Sequence, residues 1–333
     1  MAQGGNPQGK KTGKGQGKAA RRARQEALAR QEAEQAAKER RQQTIIGAVV
    51  VALAVILLAV IAFFIAKPLI ASKIGKSADS TSTKADPQAY AAVQEVSHKP
   101  SKATKEGGFV ISKNGYNKPV EGVPTIGLYS DPLCPGCGAL NRQIDPMLKA
   151  MMNAGQINLE EHFMVGLDSL STDEYSSRAT GAITYVAEHD DDPNQLLDFV
   201  SNLFAEGFQP EEGQGYKSVS DQQIKEQALK AGVPQEIADQ AFSREYQEWL
   251  EALQAYIPTK PELLNVSGSN QIKGKMTTPT ITVNGHFFDQ NAVPSSSNIK
   301  EALLKSIGLS EKQVGKTGEL PSIGDKGKPL SVE

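Results

Sequence analysis

The chain has 333 residues and a formal net charge of −2, and it contains only two cysteines and four histidines. Two cysteines cannot build an internal disulfide framework, and without histidines at ligand spacing they cannot supply the four ligands of a structural zinc site. A fold held together by several disulfides or by zinc is therefore excluded.

Residues 1–43 form a basic tail that holds eleven Lys or Arg and four Glu. Its first half is rich in Gly, Gln and Lys, a composition typical of disorder. We interpret these basic residues as a topology signal that also attracts anionic lipid headgroups. The alternative is that they bind RNA or another cytoplasmic partner. We expect no nucleic acid among the partners.

An uncharged apolar run follows at residues 45–66. With a rise of about 1.5 Å per residue, it can cross a hydrocarbon core of about 30 Å, and it is longer than the apolar stretch of a cleaved signal peptide. The sequence predicts one transmembrane helix at residues 44–66, with a buried core helix as the alternative. The preceding Lys and Arg residues predict a cytoplasmic N-terminus, a single-pass anchor in the cell membrane and an extracytoplasmic remainder.

The rest of the chain divides by composition into three parts. Residues 67–106 are rich in Ser, Thr, Lys and Ala and lack an apolar period, which predicts a flexible tether. Residues 107–309 are numerous enough for one folded domain with its own core. Residues 310–333 are rich in Gly, Lys and Pro and predict a disordered tail.

Apolar periodicity predicts the elements of the domain. Strands are predicted at residues 109–111, 125–129 and 157–165, with a helix at 138–152 before the third strand. Helical spacing then predicts helices at 173–189, 195–206, 221–231 and 235–257. A hairpin at 280–288 turns at Asn284-Gly285, and a final helix at 298–307 is expected to be capped by Ser296 or Ser297.

Both cysteines lie in one motif, Cys134-Pro135-Gly136-Cys137, between the second strand and the helix. Two thiols at this spacing can open a disulfide, close it and exchange it with another protein. The N–H groups and positive dipole end of the helix stabilise a thiolate at Cys134. We therefore predict a catalytic pair in which Cys134 is the exposed, attacked sulfur and Cys137 is the shielded, resolving thiol.

This element order, with the motif and the later Thr277-Thr278-Pro279-Thr280, resembles the thioredoxin fold. The helical insert, at about residues 170–257, makes the chain similar to DsbA-like thiol-disulfide oxidoreductases. Leu167-Asp168 and residues 175–179 resemble membrane-anchored members from high-GC Gram-positive bacteria. The predicted fold class is thus α/β, a thioredoxin fold with a large helical insertion, preceded by one transmembrane helix.

The resemblance implies further properties of the site. It implies a cis peptide bond at Thr278-Pro279 that faces the cysteines, with Thr278 and Pro279 binding substrate; an ordinary trans proline is the alternative. It implies no metal and no cofactor other than the Cys134–Cys137 disulfide. Its implied partners are secreted proteins with free thiols and a membrane reoxidase similar to DsbB or to vitamin K epoxide reductase.

The leading functional hypothesis is an extracytoplasmic enzyme that introduces disulfide bonds into secreted or surface proteins. Pro135-Gly136 lacks the imidazole found between the cysteines of the strongest oxidants of this family, so a reductase or isomerase, for example in cytochrome maturation, is the second hypothesis. The non-enzymatic alternatives are a thiolate site for Cu(I) or Zn and a redox-silent peptide-binding module. The four histidines are scattered, and we expect surface or structural roles for them.

Overall fold

The structure is a computed structural model that describes residues 84–294 and 298–332 of the chain. The predicted basic tail at 1–43 and the predicted transmembrane helix at 44–66 lie outside the described residues. Within the described part of the chain, no helix is both long enough and apolar enough to cross a membrane.

One mixed sheet forms the centre of the domain. Its strands are β1 (Phe109–Ser112), β2 (Gly115–Tyr116), β3 (Thr125–Ser130), β4 (Asn158–Phe163), β5 (Thr280–Val283) and β6 (His286–Phe288). Their order across the sheet is β2-β1-β4-β3-β5-β6. The β3–β4 pair is parallel, and the other neighbouring pairs are antiparallel. A parallel pair needs a crossover connection, which places a helix on one face of the sheet.

The described α-helices are α1 (Pro87–Glu95), α2 (Pro135–Ala154), α3 (Tyr175–His189), α4 (Pro193–Leu203), α5 (Asp221–Lys230), α6 (Gln235–Gln240), α7 (Gln247–Tyr256) and α8 (Ile299–Ile307). Helix α2 is the crossover between β3 and β4, and helices α3 to α7 form the insert before β5. The α/β class and the order of strand, helix, strand, helical insert, hairpin and helix agree with the prediction.

Helix α2 carries the cysteine motif and begins one residue after Cys134. Pro135 occupies its first turn, where a missing N–H costs nothing. The helix ends at Gly155, whose φ of +72° is left-handed and therefore suits glycine. Leu140 and Ile144 are buried on the predicted apolar face. These end signals fix the position of the motif at the edge of the sheet.

The predicted tether at 67–106 contains a folded element and is wrong in this part. Asp86 caps α1 by accepting hydrogen bonds from the N–H groups of the first turn, and Val93 is fully buried. The ring of Tyr90 packs on that of Tyr256 in α7, with centroids 5.2 Å apart. The prediction rested on the Ser, Thr and Lys content of residues 67–106 and did not include this short amphipathic helix.

The predicted disordered tail at 310–333 is also ordered over its described residues. The buried amide of Gln156 donates a hydrogen bond to the carbonyl oxygen of Gln313 at 2.8 Å. The N–H of Leu330 donates to the carbonyl oxygen of Ser306 at 2.8 Å. These hydrogen bonds join parts of the chain that are distant in sequence. Local composition therefore cannot predict that the segment is ordered.

The structure corrects the prediction for the last helix of the insert and for the cap of the final helix. The single helix predicted at 235–257 is two helices, α6 and α7, because Arg244 has a φ of +59° and a left-handed residue cannot continue a right-handed helix. Helix α8 is capped by Asn298, whose side chain accepts a hydrogen bond from the N–H of Glu301 at 2.7 Å. The predicted caps Ser296 and Ser297 lie outside the described residues.

Candidate active site

The two cysteines lie at the N-terminus of α2 as free thiols. Cys134 is the N-cap residue, and its Sγ accepts a hydrogen bond from the backbone N–H of Cys137 at 3.4 Å. Cys137 is completely buried, whereas Cys134 keeps 7 % of its surface exposed and lines a cavity that opens to solvent. An incoming sulfur can therefore reach Cys134 without any rearrangement of α2.

The two thiols have opposite electrostatic surroundings. A hydrogen bond from the Cys137 thiol lowers the pKa of Cys134, and hydrogen bonds from Thr278 and from the N–H groups of Cys137 and Gly136 lower it further, against the effect of burial. Burial raises the pKa of the Cys137 thiol well above its usual value, and the neighbouring Cys134 adds to this. In the reduced pair, Cys134 thus carries the thiolate and Cys137 keeps its proton.

The Thr278–Pro279 peptide bond is cis, as predicted. The carbonyl oxygen of Thr278 lies 3.4 Å from Sγ of Cys134. A Cβ atom added at Gly136 would lie 3.2 Å from Cδ of Pro279. The structure thus brings the predicted residues Cys134, Gly136, Thr278 and Pro279 into one place, with Pro135 exposed beside them.

A cavity of about 480 Å³ adjoins Cys134. Its volume lies within the range of about 300–1,000 Å³ that is usual for ligand sites. Apolar side chains from several parts of the chain line it: Met164, Leu167, Pro258 and Met276. Glu212 and Gln254 add polar groups at its border. This lining suits an extended peptide with an apolar side chain next to its cysteine.

Asp131 is a buried acid beside the cysteine motif that the sequence analysis did not single out. Its carboxylate is 1 % exposed and accepts hydrogen bonds from the N–H of Leu133 at 2.9 Å and from Oγ of Ser176 at 2.6 Å. Burial raises its pKa to about 7. Asp131 lines the same cavity as Cys134, and the backbone of Asp131 hydrogen-bonds the Cys137 thiol. Its position three residues before Cys134 was the available signal.

The helical insert contacts the motif through Gln209. Its side-chain amide donates hydrogen bonds to the carbonyl oxygens of Pro132 at 3.1 Å and Cys134 at 2.9 Å. A Cβ atom added at Gly138 would clash with Oε1 of Gln209, so this amide can keep its position only while residue 138 has no side chain. The insert therefore fixes the loop that leads into the catalytic helix.

The histidines take no part in this site. His162 is buried and stacks on Tyr129 with ring centroids 4.1 Å apart, while His98, His189 and His286 also lie outside the cavity beside Cys134. Across residues 84–294 and 298–332, no group of three or more His, Cys, Asp or Glu side chains is arranged to hold a metal ion.

A reactive cysteine, a buried partner thiol and a facing cis-proline on a mixed sheet define the class of protein, a thiol-disulfide oxidoreductase. A protein-family model described as "Thioredoxin" matches residues 121–303. The chain belongs to the thioredoxin family, which confirms the family predicted from the sequence.

The chain is also similar to several solved structures. One is the disulfide bond oxidoreductase DsbG from Mycobacterium tuberculosis in its reduced form, with 25 % identity, coverage of 66 % of this chain and 91 % of that chain, and a TM-score of 0.49. Another is reduced DsbA from the same organism, with 24 % identity, coverage of 55 % and 85 %, and a TM-score of 0.44. A third is MdbA, a thiol-disulfide oxidoreductase from Actinomyces oris, with 16 % identity, coverage of 61 % and 89 %, and a TM-score of 0.43.

One segment of the chain matches a curated protein of a different kind. It is 33 % identical over 89 residues to the serine/threonine-protein kinase PknE of Mycobacterium tuberculosis. The match covers 26 % of this chain and 16 % of the length of that relative.

Proposed function

We propose that this protein is an extracytoplasmic disulfide-forming enzyme that oxidises thiols of secreted or surface proteins through the Cys134–Cys137 pair. The observation that carries the proposal is the asymmetry of the two thiols. Hydrogen bonds lower the pKa of Cys134 and burial raises that of Cys137. A stabilised thiolate stabilises the reduced pair, and this makes the corresponding disulfide a stronger oxidant.

The proposed reaction has two exchange steps. A substrate thiolate attacks Sγ of Cys134, the Cys134–Cys137 bond breaks, and Cys137 leaves and takes up a proton. The second substrate thiolate then attacks the substrate sulfur of the mixed disulfide and releases Cys134 as a thiolate. Two electrons pass from the substrate dithiol to the cysteine pair. We assign the supply of this proton to Asp131, a buried acid that lines the cavity beside Cys134 and has a pKa of about 7.

The cavity beside Cys134 is the proposed substrate groove. A peptide backbone can pair with Thr278, whose carbonyl oxygen already lies at hydrogen-bond distance from Cys134. Met164 and Met276 are adaptable apolar side chains and can accommodate varied neighbours of the substrate cysteine. Secreted proteins with free thiols are therefore the proposed substrates, and a DsbB-like or vitamin K epoxide reductase-like membrane protein is the proposed reoxidant.

A reductase or isomerase is the second candidate because Gly136 offers Cys134 only a backbone N–H. The redox state of the Cys134–Cys137 pair in growing cells distinguishes an oxidase from a reductase. Thiols trapped by acid and then alkylated should be mostly oxidised for the proposed oxidase and mostly reduced for a reductase. The purified full-length protein, equilibrated with glutathione, should have a potential clearly above the roughly −270 mV of thioredoxin. A value at or below it would favour the reductase.

The proposed location is tested by protease added outside intact cells. We propose that the N-terminus is cytoplasmic because eleven Lys or Arg precede the apolar run at 45–66. Protease should then release a soluble fragment that contains Cys134. A fragment that stays protected until the membrane is opened would contradict the proposed orientation.

A further inference from the structure

A second cavity of about 480 Å³ lies between α2, α4 and the sheet. It shares no lining residue with the cavity beside Cys134. Its size falls within the usual range for small-molecule sites. Its walls are mainly buried aliphatic side chains: Leu128, Leu148, Leu159, Leu197 and Val200.

Glu161 of β4 lines this cavity with an unpaired carboxyl group. The residue is 4 % exposed and lies beside Leu128 in the parallel β3–β4 ladder. No described residue donates a hydrogen bond to its carboxyl group, and burial, with the nearby charge of Asp145, raises its pKa to about 8. Buried polar groups almost always have a partner, so a carboxyl group that lines a cavity without one offers an acceptor to a ligand.

Asp145 of α2 lines the cavity as a second acid. Its Oδ2 accepts a hydrogen bond from Oγ of Ser201 in α4 at 2.9 Å, and burial raises its pKa to about 7. The two acids come from different elements, and the charge of Asp145 adds to the effect of burial on the pKa of Glu161. Asp145 therefore extends the negative surface that Glu161 provides.

The other polar lining groups are already engaged. Nζ of Lys149 lies 2.5 Å from Oδ1 of Asp198, and these side chains are 29 % and 48 % exposed, so the ion pair stands at the rim. The amide of Asn141 donates to the carbonyl oxygen of Cys137 at 2.8 Å. Since Lys149 and Asp198 neutralise each other, Asp145 and Glu161 remain without a cation.

We propose that this cavity binds a small organic cation with an apolar body, of the arylalkylamine or arylamidine type. The cationic group would lie between Glu161 and Asp145 and donate charge-assisted hydrogen bonds to both carboxylates. The apolar body would lie against the leucines and Val200, where burial removes its surface from water. A neutral ligand of the same shape would leave both acids uncompensated.

Binding of a cation should release protons. The acids are partly protonated near neutral pH because burial raises the pKa of Asp145 to about 7 and that of Glu161 to about 8. The other groups that face them are the Lys149–Asp198 pair, Ser201 and Asn141. A bound cation favours the ionised carboxylates, so its affinity should increase from about pH 6 to about pH 8.5.

The test uses benzamidine as the probe and benzamide as its neutral counterpart. Each is titrated by calorimetry into the full-length protein in detergent micelles at about pH 8. The affinity of the unmodified protein for benzamidine should exceed its affinity for benzamide by about tenfold or more. Glu161→Gln should lower the affinity for benzamidine by about tenfold or more. Glu248→Gln, an exposed acid on α7 that does not line the cavity, is the charge-matched control and should change the affinity by less than about twofold.

The proposal fails if benzamidine and benzamide bind alike, if neither binds, or if Glu161→Gln leaves the affinity unchanged. A second measurement on the unmodified protein does not depend on the folding of any variant. Heats of benzamidine binding in two buffers with different ionisation enthalpies report proton release. Release of a proton supports the site between Glu161 and Asp145, and the absence of release overturns it.

Discussion

The carbonyl oxygen of Thr278 lies 3.4 Å from Sγ of Cys134, although 144 residues separate them in the chain. The helical insert accounts for most of this separation. The sheet brings the two residues together in space, because Tyr129 of β3 pairs with Thr280 of β5. The register of these two strands therefore brings the sulfur of Cys134 and the proposed substrate-binding backbone of Thr278 together at one edge of the fold.

Cys134 should react with alkylating reagents much faster than Cys137. Its thiolate is stabilised by hydrogen bonds, whereas Cys137 is buried and its pKa is raised. In the reduced protein, labelling of Cys134 should reach half its maximal rate below about pH 8.5, the ordinary thiol value. Mass spectrometry of the alkylated peptides, with Cys134→Ala as the control, measures this. Preferential labelling of Cys137 would reverse the assigned roles.

Cys137→Ala should accumulate mixed disulfides with substrate proteins in cells. In this variant the Cys134 thiolate attacks a disulfide of a substrate protein and releases one of its sulfurs as a thiolate. Without Cys137, the intramolecular attack that would free the resulting mixed disulfide cannot occur. Non-reducing gels should show high-mass species that disappear on reduction. Cys134→Ala should show none of these species, because Cys137 is not accessible. Equal amounts of mixed disulfide in both variants would contradict the predicted roles of Cys134 and Cys137.

Asp131→Asn should slow the exchange steps that involve Cys137. Burial raises the pKa of Asp131 to about 7, and the proposed role of its carboxyl group is to exchange a proton with Cys137 near neutral pH. Loss of such a proton-transfer group typically costs on the order of 100-fold in rate, and asparagine cannot replace it. The measurement is the pH profile of single-turnover reduction by dithiothreitol, which should lose its inflection near pH 7.

Asp145→Asn is the matched control for this variant. Burial also raises the pKa of Asp145 to about 7, but its carboxyl group lines the second cavity and does not face the cysteines. Its pH profile should resemble that of the unmodified protein. If Asp131→Asn and Asp145→Asn change the profile equally, the effect reflects general stability and not proton transfer.

The sequence was sufficient to predict the α/β class, the cysteine motif and the cis bond at Thr278–Pro279. The signals of the first two are local, alternating strands and an N-terminal Pro135, whereas the cis bond was predicted from the resemblance to DsbA-like proteins. It was not sufficient for Asp131, because the burial that shifts its pKa depends on Ser176 and on the N–H of Leu167, both distant in the chain. The ordered residues after 310 were missed for the same reason.

The domain should lose stability as the pH rises from about 5 to about 9. Burial raises the pKa values of Asp131 and Asp145 to about 7 and that of Glu161 to about 8, above those of unfolded chains. An acid with a raised folded pKa contributes stability below its unfolded pKa and loses it as the pH rises through its folded pKa. Urea midpoints at several pH values should therefore fall across this window.

Glu161→Gln should reduce this loss of stability. The substitution removes one buried group that must ionise, so the unfolding free energy at pH 9 should increase by on the order of 1–3 kcal/mol relative to the unmodified protein. The exposed Glu248→Gln is the control and should leave the pH dependence unchanged. A Glu161→Gln protein with an unaltered pH dependence would show that Glu161 does not titrate in this range.

Gly138→Ala should disrupt the contact between the helical insert and the cysteine motif. The new Cβ would lie 1.9 Å from Oε1 of Gln209, so Gln209 must move and lose its hydrogen bonds to Pro132 and Cys134. Each lost bond costs about 1 kcal/mol, while alanine in a helix gains about 1 kcal/mol over glycine. The net loss of unfolding free energy, measured with urea, should be about 1 kcal/mol.

Gly181→Ala in α3 provides the matched comparison, because a Cβ atom there meets nothing within 4 Å. This variant should be more stable by about 0.5–1 kcal/mol, the helix-propensity gain alone. In a Gln209→Ala background the obstacle at Gly138 is gone, so Gly138→Ala should become stabilising like Gly181→Ala. If Gly138→Ala destabilises equally with and without Gln209, the insert does not hold the motif through this residue.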